Sequence, residues 1–218
     1  MSFRPPRPER LSIRGPAGDL EAVLEEPPTH NGASFGVVCH PHPLGGGTLD
    51  NKVVHTVARV MQELGLPTLR FNFRGVGASA GKFDDGAGET DDALAVIDWG
   101  RERWPHAALW LAGFSFGAYV ALRVSERRRA QRLITIAPPV QRFQFAALRA
   151  PDGPWLIVQG DQDEIVACEA VVAWAKSLSP PPQVVILHGA GHFFHGRLQD
   201  LKEAIIEHVG VRSTPPGA

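Results

Sequence analysis

The sequence predicts an α/β fold, a mainly parallel twisted sheet with helices on both faces. Short apolar runs of strand length alternate with helical patterns of about 10 to 15 residues, the spacing of right-handed crossovers between parallel strands. Several of the runs are apolar along most of their length, as strands covered on both sides must be. The 23 glycines and 19 prolines fall between these periodic segments rather than in one block, so they punctuate many short elements.

Residues 10–26 read as two short strands around a turn at 15–19, an antiparallel hairpin at the N-terminal edge of the sheet. The run 35–39 leads into a proline- and glycine-rich loop, 40–48, and then a helical pattern. In that pattern Val53, Val54, Val57, Val60, Met61 and Leu64 share one face, and Gly65 ends it. The unit recurs as an apolar stretch over 67–73, a glycine-rich loop over 74–88 and a helix over 90–104. Asp91 and Asp92 lie near the positive end of that helix. A strand over 108–112 precedes a helix over 116–128, and strands over 133–137 and 155–159 follow. A helix over 167–178, a strand over 184–187 and a helix over 196–209 complete the order. We read one domain over residues 1–218, with 1–9 and 212–218 as flexible tails.

Composition bounds the function. With 218 residues, 44% hydrophobic and 21% charged, the chain matches soluble folded domains and is long enough for a sizeable core. Lys and Arg number 22 against 23 Asp and Glu, so the molecule has no overall bias toward nucleic acid or anionic membrane, and neither partner is expected. The first ten residues lack the apolar stretch of a signal peptide, and no apolar run approaches the roughly 18 to 20 residues of a membrane span; a cytoplasmic location is expected. Cys39 and Cys168 are too few for a disulfide framework and match no zinc spacing, so they read as free core thiols.

The sharpest motif is Gly113-Phe-Ser115-Phe-Gly117, placed between an apolar strand and an amphipathic helix. At so tight a strand-to-helix turn the serine backbone is strained, and glycines two residues to either side remove side chains that would collide with the neighbouring strand and helix. The serine hydroxyl then projects above the carboxyl edge of the sheet, at a helix N-terminus that favours developing negative charge. A serine nucleophile needs a base, and the base an orienting carboxylate. Both are available downstream: Asp161 or Asp163 after the strand 155–159, and His188, His192 or His195 after the strand 184–187. In a parallel sheet these loops emerge at the same edge as Ser115.

These stretches, with His40-Pro-His42-Pro-Leu44-Gly45-Gly-Gly47 and Phe71-Asn-Phe-Arg74-Gly-Val-Gly-Ala-Ser79, resemble the α/β-hydrolases, specifically the small lidless bacterial serine hydrolases, over about residues 11–209. The resemblance implies Ser115 as nucleophile, Asp163 as the acid and His192 as the general base. It also implies an oxyanion hole formed by the backbone N–H of Phe116 and a second N–H from the loop 40–48. Pro41 and Pro43 cannot donate, which leaves His42, two residues after His40, or Leu44; His42 is preferred. Lidded members insert a cap where this chain has residues 138–154, too short for packed helices and with only a short possible helix near 144–149. The expectation is therefore no cap domain and an open cleft bordered by Leu44, Gly45, Phe143 and Phe145.

The activity so implied is that of a carboxylesterase-like hydrolase acting on a short or compact acyl compound. Thioesterase, amidase or lactonase chemistry would use the same triad. Two readings of other classes compete: a metal-dependent hydrolase using His40-x-His42 as ligands, and a non-catalytic binding protein on the hydrolase fold. Gly75-x-Gly77-x-x-Ala80 opens no helix and Gly81-Lys82 lacks the following Ser or Thr, so neither reads as a nucleotide site. No cofactor or metal is expected.

Overall fold

A strand covered on both faces must feed two separate cores with its alternate side chains. The computed structural model, which describes residues 8–30 and 32–209, has eight strands and five helices, and the central strands do this. In chain order the elements are β1 (Glu9–Gly15), β2 (Gly18–Glu25), β3 (Ser34–Cys39), α1 (Lys52–Glu63), β4 (Thr68–Phe71), α2 (Ala87–Arg103), β5 (Ala108–Phe114), α3 (Phe116–Ser125), β6 (Arg132–Ile136), β7 (Trp155–Gly160), α4 (Cys168–Ser177), β8 (Gln183–Leu187) and α5 (Leu198–Val209). On β3, Phe35, Val37 and Cys39 enter one core and Val38 the other; on β5, Leu109 and Leu111 oppose Ala112 and Phe114. The first core is closed by α2, α3 and α4 through Val96, Ile97, Val120, Val124 and Val171. The second is closed by α1 and α5 through Val53, Val57, Met61, Leu201 and Ile205.

The sheet order is β1-β2-β4-β3-β5-β6-β7-β8. β1 and β2 form the antiparallel edge hairpin, β2 pairs antiparallel with β4, and every pair from β4 to β8 is parallel. The loops that follow β3, β5, β7 and β8 therefore converge on one edge of the sheet. Between β6 and β7 the chain forms a single 3-10 turn, Phe145–Ala147, and no cap.

Several boundaries differ from expectation, for local reasons. Helix α2 begins at Ala87 rather than near Thr90, because Glu89 accepts the Gly86 and Asp84 N–H groups at 2.8 and 2.9 Å and so caps an earlier first turn. The extended stretch ends at Phe71, where Asn72 and Phe73 leave the sheet to hold loops. Helix α3 stops at Ser125, and α5 starts at Leu198. A 3-10 turn at Pro43–Gly45 was not predicted from the loop composition. The tails lie mostly outside the described residues, but Glu9 already belongs to β1, where it pairs with Leu24. No helix among the described residues is long and apolar enough to cross a membrane.

Candidate active site

Ser115 joins the last residue of β5 to the first of α3 with φ 54° and ψ −118°, a backbone conformation that costs on the order of 1–3 kcal/mol for a residue with a side chain. Its surroundings impose it. Ser115 N–H donates to Ile136 O at 2.8 Å, and its carbonyl accepts from Ala118 N–H at 2.8 Å. A side chain on Gly113 would strike the Gly117 carbonyl, and one on Gly117 would strike the carbonyls of Cys39 and His40, so helix and strand can meet here only through glycine. As the first residue of α3, Phe116 has an N–H without an intrahelical acceptor, at the helix end that adjoins the serine.

The loops after β7 and β8 bring a carboxylate and an imidazole into line with that hydroxyl. His192 Nε2 lies 3.0 Å from Ser115 Oγ, and His192 Nδ1 lies 2.9 Å from Asp163 Oδ2. Since the carboxylate accepts a hydrogen bond from Nδ1–H, Nε2 is left as the acceptor for the serine hydroxyl. The Asp163 carboxyl is wholly buried, which alone would raise its pKa. Hydrogen bonds from His192, Val166 N–H (2.7 Å) and Ile165 N–H (2.9 Å) outweigh burial and hold the pKa below the usual carboxylate range. Asp163 is thus an anion aimed at an imidazole.

The competing residues sit elsewhere. Asp161 binds the exposed His188 ring at 2.8 Å and Gly189 N–H at 2.7 Å, away from the serine. His195 is exposed and stacks on Phe193 at 5.8 Å.

The loop after β3 is held by buried polar side chains. His40 is fully buried, with Nδ1 donating to Pro41 O at 2.6 Å and Nε2 accepting from Phe73 N–H at 3.0 Å; burial lowers its pKa to about 4. Both ring nitrogens are occupied, so His40 has no lone pair for a metal, and the His40-x-His42 reading fails on this geometry. Among the described residues no group of three or more His, Cys, Asp or Glu side chains is placed to hold a metal ion. Further along the loop, Leu49 N–H donates to Asn72 Oδ1 at 2.8 Å and Leu49 O accepts from Arg70 at 2.6 Å, which ties the loop to β4. Leu44 N–H donates to His42 Nδ1 at 3.2 Å, while the His42 carbonyl accepts from Gly45 and Gly47. Leu44 N–H thus already has an acceptor within the turn.

Ser115 and His192 open into a cleft of about 560 Å³ that Leu44, Gly45, Phe116 and Phe143 also line. Phe145 does not line it. That ring is buried between Tyr119 and Trp174, with centroids 5.4 and 5.1 Å away, and belongs to the core. Of the two cysteines Cys39 is buried and Cys168, at the start of α4, is only partly so; burial raises both thiol pKa values.

Several side chains near the serine escaped the sequence reading. Gln159, fully buried, donates from Nε2 to Asp163 Oδ2 at 2.9 Å. Glu164 accepts His192 N–H at 3.1 Å. Phe193, 39% exposed, forms part of the cleft rim with Leu44 at 76%. Only Gln159 left a trace in sequence, as a polar residue closing the apolar run Trp155-Leu-Ile-Val.

A parallel sheet with a strained serine at a strand-to-helix turn, aligned with a histidine and a buried aspartate, defines an α/β hydrolase of the serine type. The comparisons agree: a family profile described as an alpha/beta hydrolase domain matches residues 37–207, and the chain belongs to that family. A solved structure described as an alpha-beta serine hydrolase homologue from Coxiella burnetii is 48% identical, with TM-score 0.90, covering 93% of this chain and 97% of its own. Another, described as a serine hydrolase without lid from Xanthomonas campestris, is 43% identical, with TM-score 0.90, covering 99% of this chain and all of its own length, 100%. A Rickettsia prowazekii protein described as uncharacterized is 36% identical over 210 residues, 92% of this chain and 88% of its own.

Proposed function

We propose that the protein is a carboxylesterase-like serine hydrolase that cleaves a short or compact ester through an acyl-enzyme at Ser115. The observation that carries this reading is the unbroken line from Ser115 Oγ through His192 to Asp163, with contacts of 3.0 and 2.9 Å. Ser115 Oγ attacks the ester carbonyl carbon as His192 Nε2 takes its proton, and Asp163 stabilises the imidazolium that forms. The carbonyl oxygen, now an anion, accepts hydrogen bonds from the N–H groups of Phe116 and His42. Collapse breaks the bond to the alcohol oxygen, which leaves with the proton returned by His192. Water then attacks the acyl-serine with His192 again as base, the serine oxygen leaves as Ser115 hydroxyl, and the carboxylic acid is released.

The cleft supports the substrate size. A volume of about 560 Å³ without a cap admits a compact ester, while each acyl methylene would gain at most about 0.8 kcal/mol from burial. The strain at Ser115 fits the same reading, since a turn that costs stability is retained where it presents a reactive group. Hydrolysis of a short-chain aryl ester by wild-type protein and by Ser115→Ala tests it. The variant should lose nearly all turnover while keeping its fold; a Ser115→Ala protein with wild-type turnover would refute the mechanism, and a folded wild-type protein inert to short esters, thioesters, amides and lactones would favour the binding-protein reading.

A further inference from the structure

The cleft around Ser115 is walled mostly by apolar groups, among them Leu44, Pro139, Phe143, Ile165 and Phe193, and one permanently charged side chain stands in that wall. Arg142 is exposed there, and among the described residues its guanidinium has neither an ion-pair partner nor a hydrogen-bond acceptor. Other arginines of the chain show the ordinary arrangement: Arg70 with Glu25, Arg74 with Asp92, Arg127 with Asp91 and Arg128 with Asp98. The backbone fixes the base of Arg142, because its N–H donates to Pro139 O at 3.0 Å and the next residue, Phe143, stacks on Tyr119 at 4.9 Å. Its charge is felt at His42, whose ring stacks on Phe143 at 6.3 Å. Burial is the main reason the His42 pKa is lowered; Glu89 and Asp85 oppose this, and Arg142 adds to it. Neither of those carboxylates lines the cleft.

We propose that Arg142 is a specificity-determining residue, and that the cleft selects esters carrying a carboxylate, with an apolar body between that anion and the scissile carbonyl. The proposal rests on the hydrolase reading of Ser115 and narrows it. A guanidinium presents a planar fork that matches a carboxylate with two parallel hydrogen bonds. One permanent cation also matches one negative charge. A phosphate monoester, with nearly two, would find no second cation in this wall.

The test compares 3-acetoxybenzoate with the uncharged 3-acetoxybenzamide. Binding is read by calorimetry in Ser115→Ala protein, with Arg142 present or changed by Arg142→Gln or Arg142→Glu. With Arg142 the benzoate should bind about fivefold more tightly than the amide. That ratio should fall to near one with Gln, invert with Glu, and shrink as salt is added. In protein with Ser115 intact, the ratio of the two kcat/KM values should follow the same order. Equal ratios with Arg142 and with Gln would overturn the proposal, as would binding of neither compound, and tighter binding of 3-acetoxyphenyl phosphate would overturn the choice of a carboxylate. The hydrolase reading fails separately: anion-selective binding without turnover refutes catalysis alone, and turnover without charge discrimination refutes the role of Arg142 alone.

Discussion

His40 offers a prediction whose size follows from the structure. Its ring is sealed in the protein with both nitrogens bonded, so a second proton would have to displace the Phe73 N–H bond in a site closed to solvent. The pKa accordingly falls from 6.5 to about 4. At about 1.4 kcal/mol per pH unit this corresponds to about 3 kcal/mol of folding stability. Because the folded-state value is the lower one, the unfolded chain binds the extra proton between the two. The contribution is therefore complete above pH 6.5, declines as pH falls toward 4 and is gone below that. Urea unfolding of wild type and His40→Asn, followed by tryptophan fluorescence from pH 7.5 to 4, isolates it, since other groups titrate alike in both proteins. Asn keeps a donor for Pro41 O but strands Phe73 N–H, so the variant should be less stable at pH 7.5 by about 1–3 kcal/mol. On the way to pH 4 wild type should lose about 3 kcal/mol relative to the variant, which closes the gap or reverses its sign. Parallel curves, or a His40 imidazole that titrates near 6.5 by NMR, would refute the reasoning.

Asp163→Asn should lower kcat on a short aryl ester by about 10³- to 10⁴-fold, because it removes the anion that orients and stabilises protonated His192. Asp161→Asn, which breaks only the exposed pair with His188, should change the rate by no more than a few-fold; the reverse ranking would assign the acid to the wrong residue. Gln159→Leu keeps the buried volume but strips Asp163 Oδ2 of a donor. It removes a buried Oε1 that has no partner but also takes a donor from Gly160 O and Val166 O, so the unfolding temperature should fall modestly while kcat falls about tenfold, the effect of one hydrogen bond to a charged group. A variant with full activity would show that Ile165 N–H, Val166 N–H and His192 suffice to hold the carboxylate. Esters carried past their solubility limit should show no jump in rate, since residues 138–154 contain only the turn Phe145–Ala147 and nothing in that segment can open; a clear jump would reveal a moving lid.

The architecture was legible wherever periodicity carried it. Apolar runs separated by amphipathic helices marked every strand from β3 to β8, and the Gly113–Gly117 spacing located the strained serine because steric crowding there tolerates little but glycine. Helix ends were less legible. Glu89 starts α2 early through its side-chain bonds to Gly86 and Asp84, a contact that periodicity does not register. Phe145 was misplaced for a similar reason: an aromatic residue in a loop beside the cleft looks like a substrate contact, and only packing against Tyr119 and Trp174 puts it in the core. The hydrogen bond from Leu44 N–H to the His42 ring, within a turn of three residues, is likewise a contact that the loop composition does not register. Gln159 and Glu164 act through contacts made only once the β7 and β8 loops meet.

The most direct measurement of the central claim is covalent. Purified protein treated with a fluorophosphonate should gain one adduct by intact mass, and peptide mapping should place it on Ser115, whose hydroxyl lies 3.0 Å from His192 Nε2. Ser115→Ala should take up none, and His192→Ala should react far more slowly. An adduct on any other residue, or an unmodified wild-type protein after prolonged exposure, would contradict the assignment of Ser115 as the nucleophile.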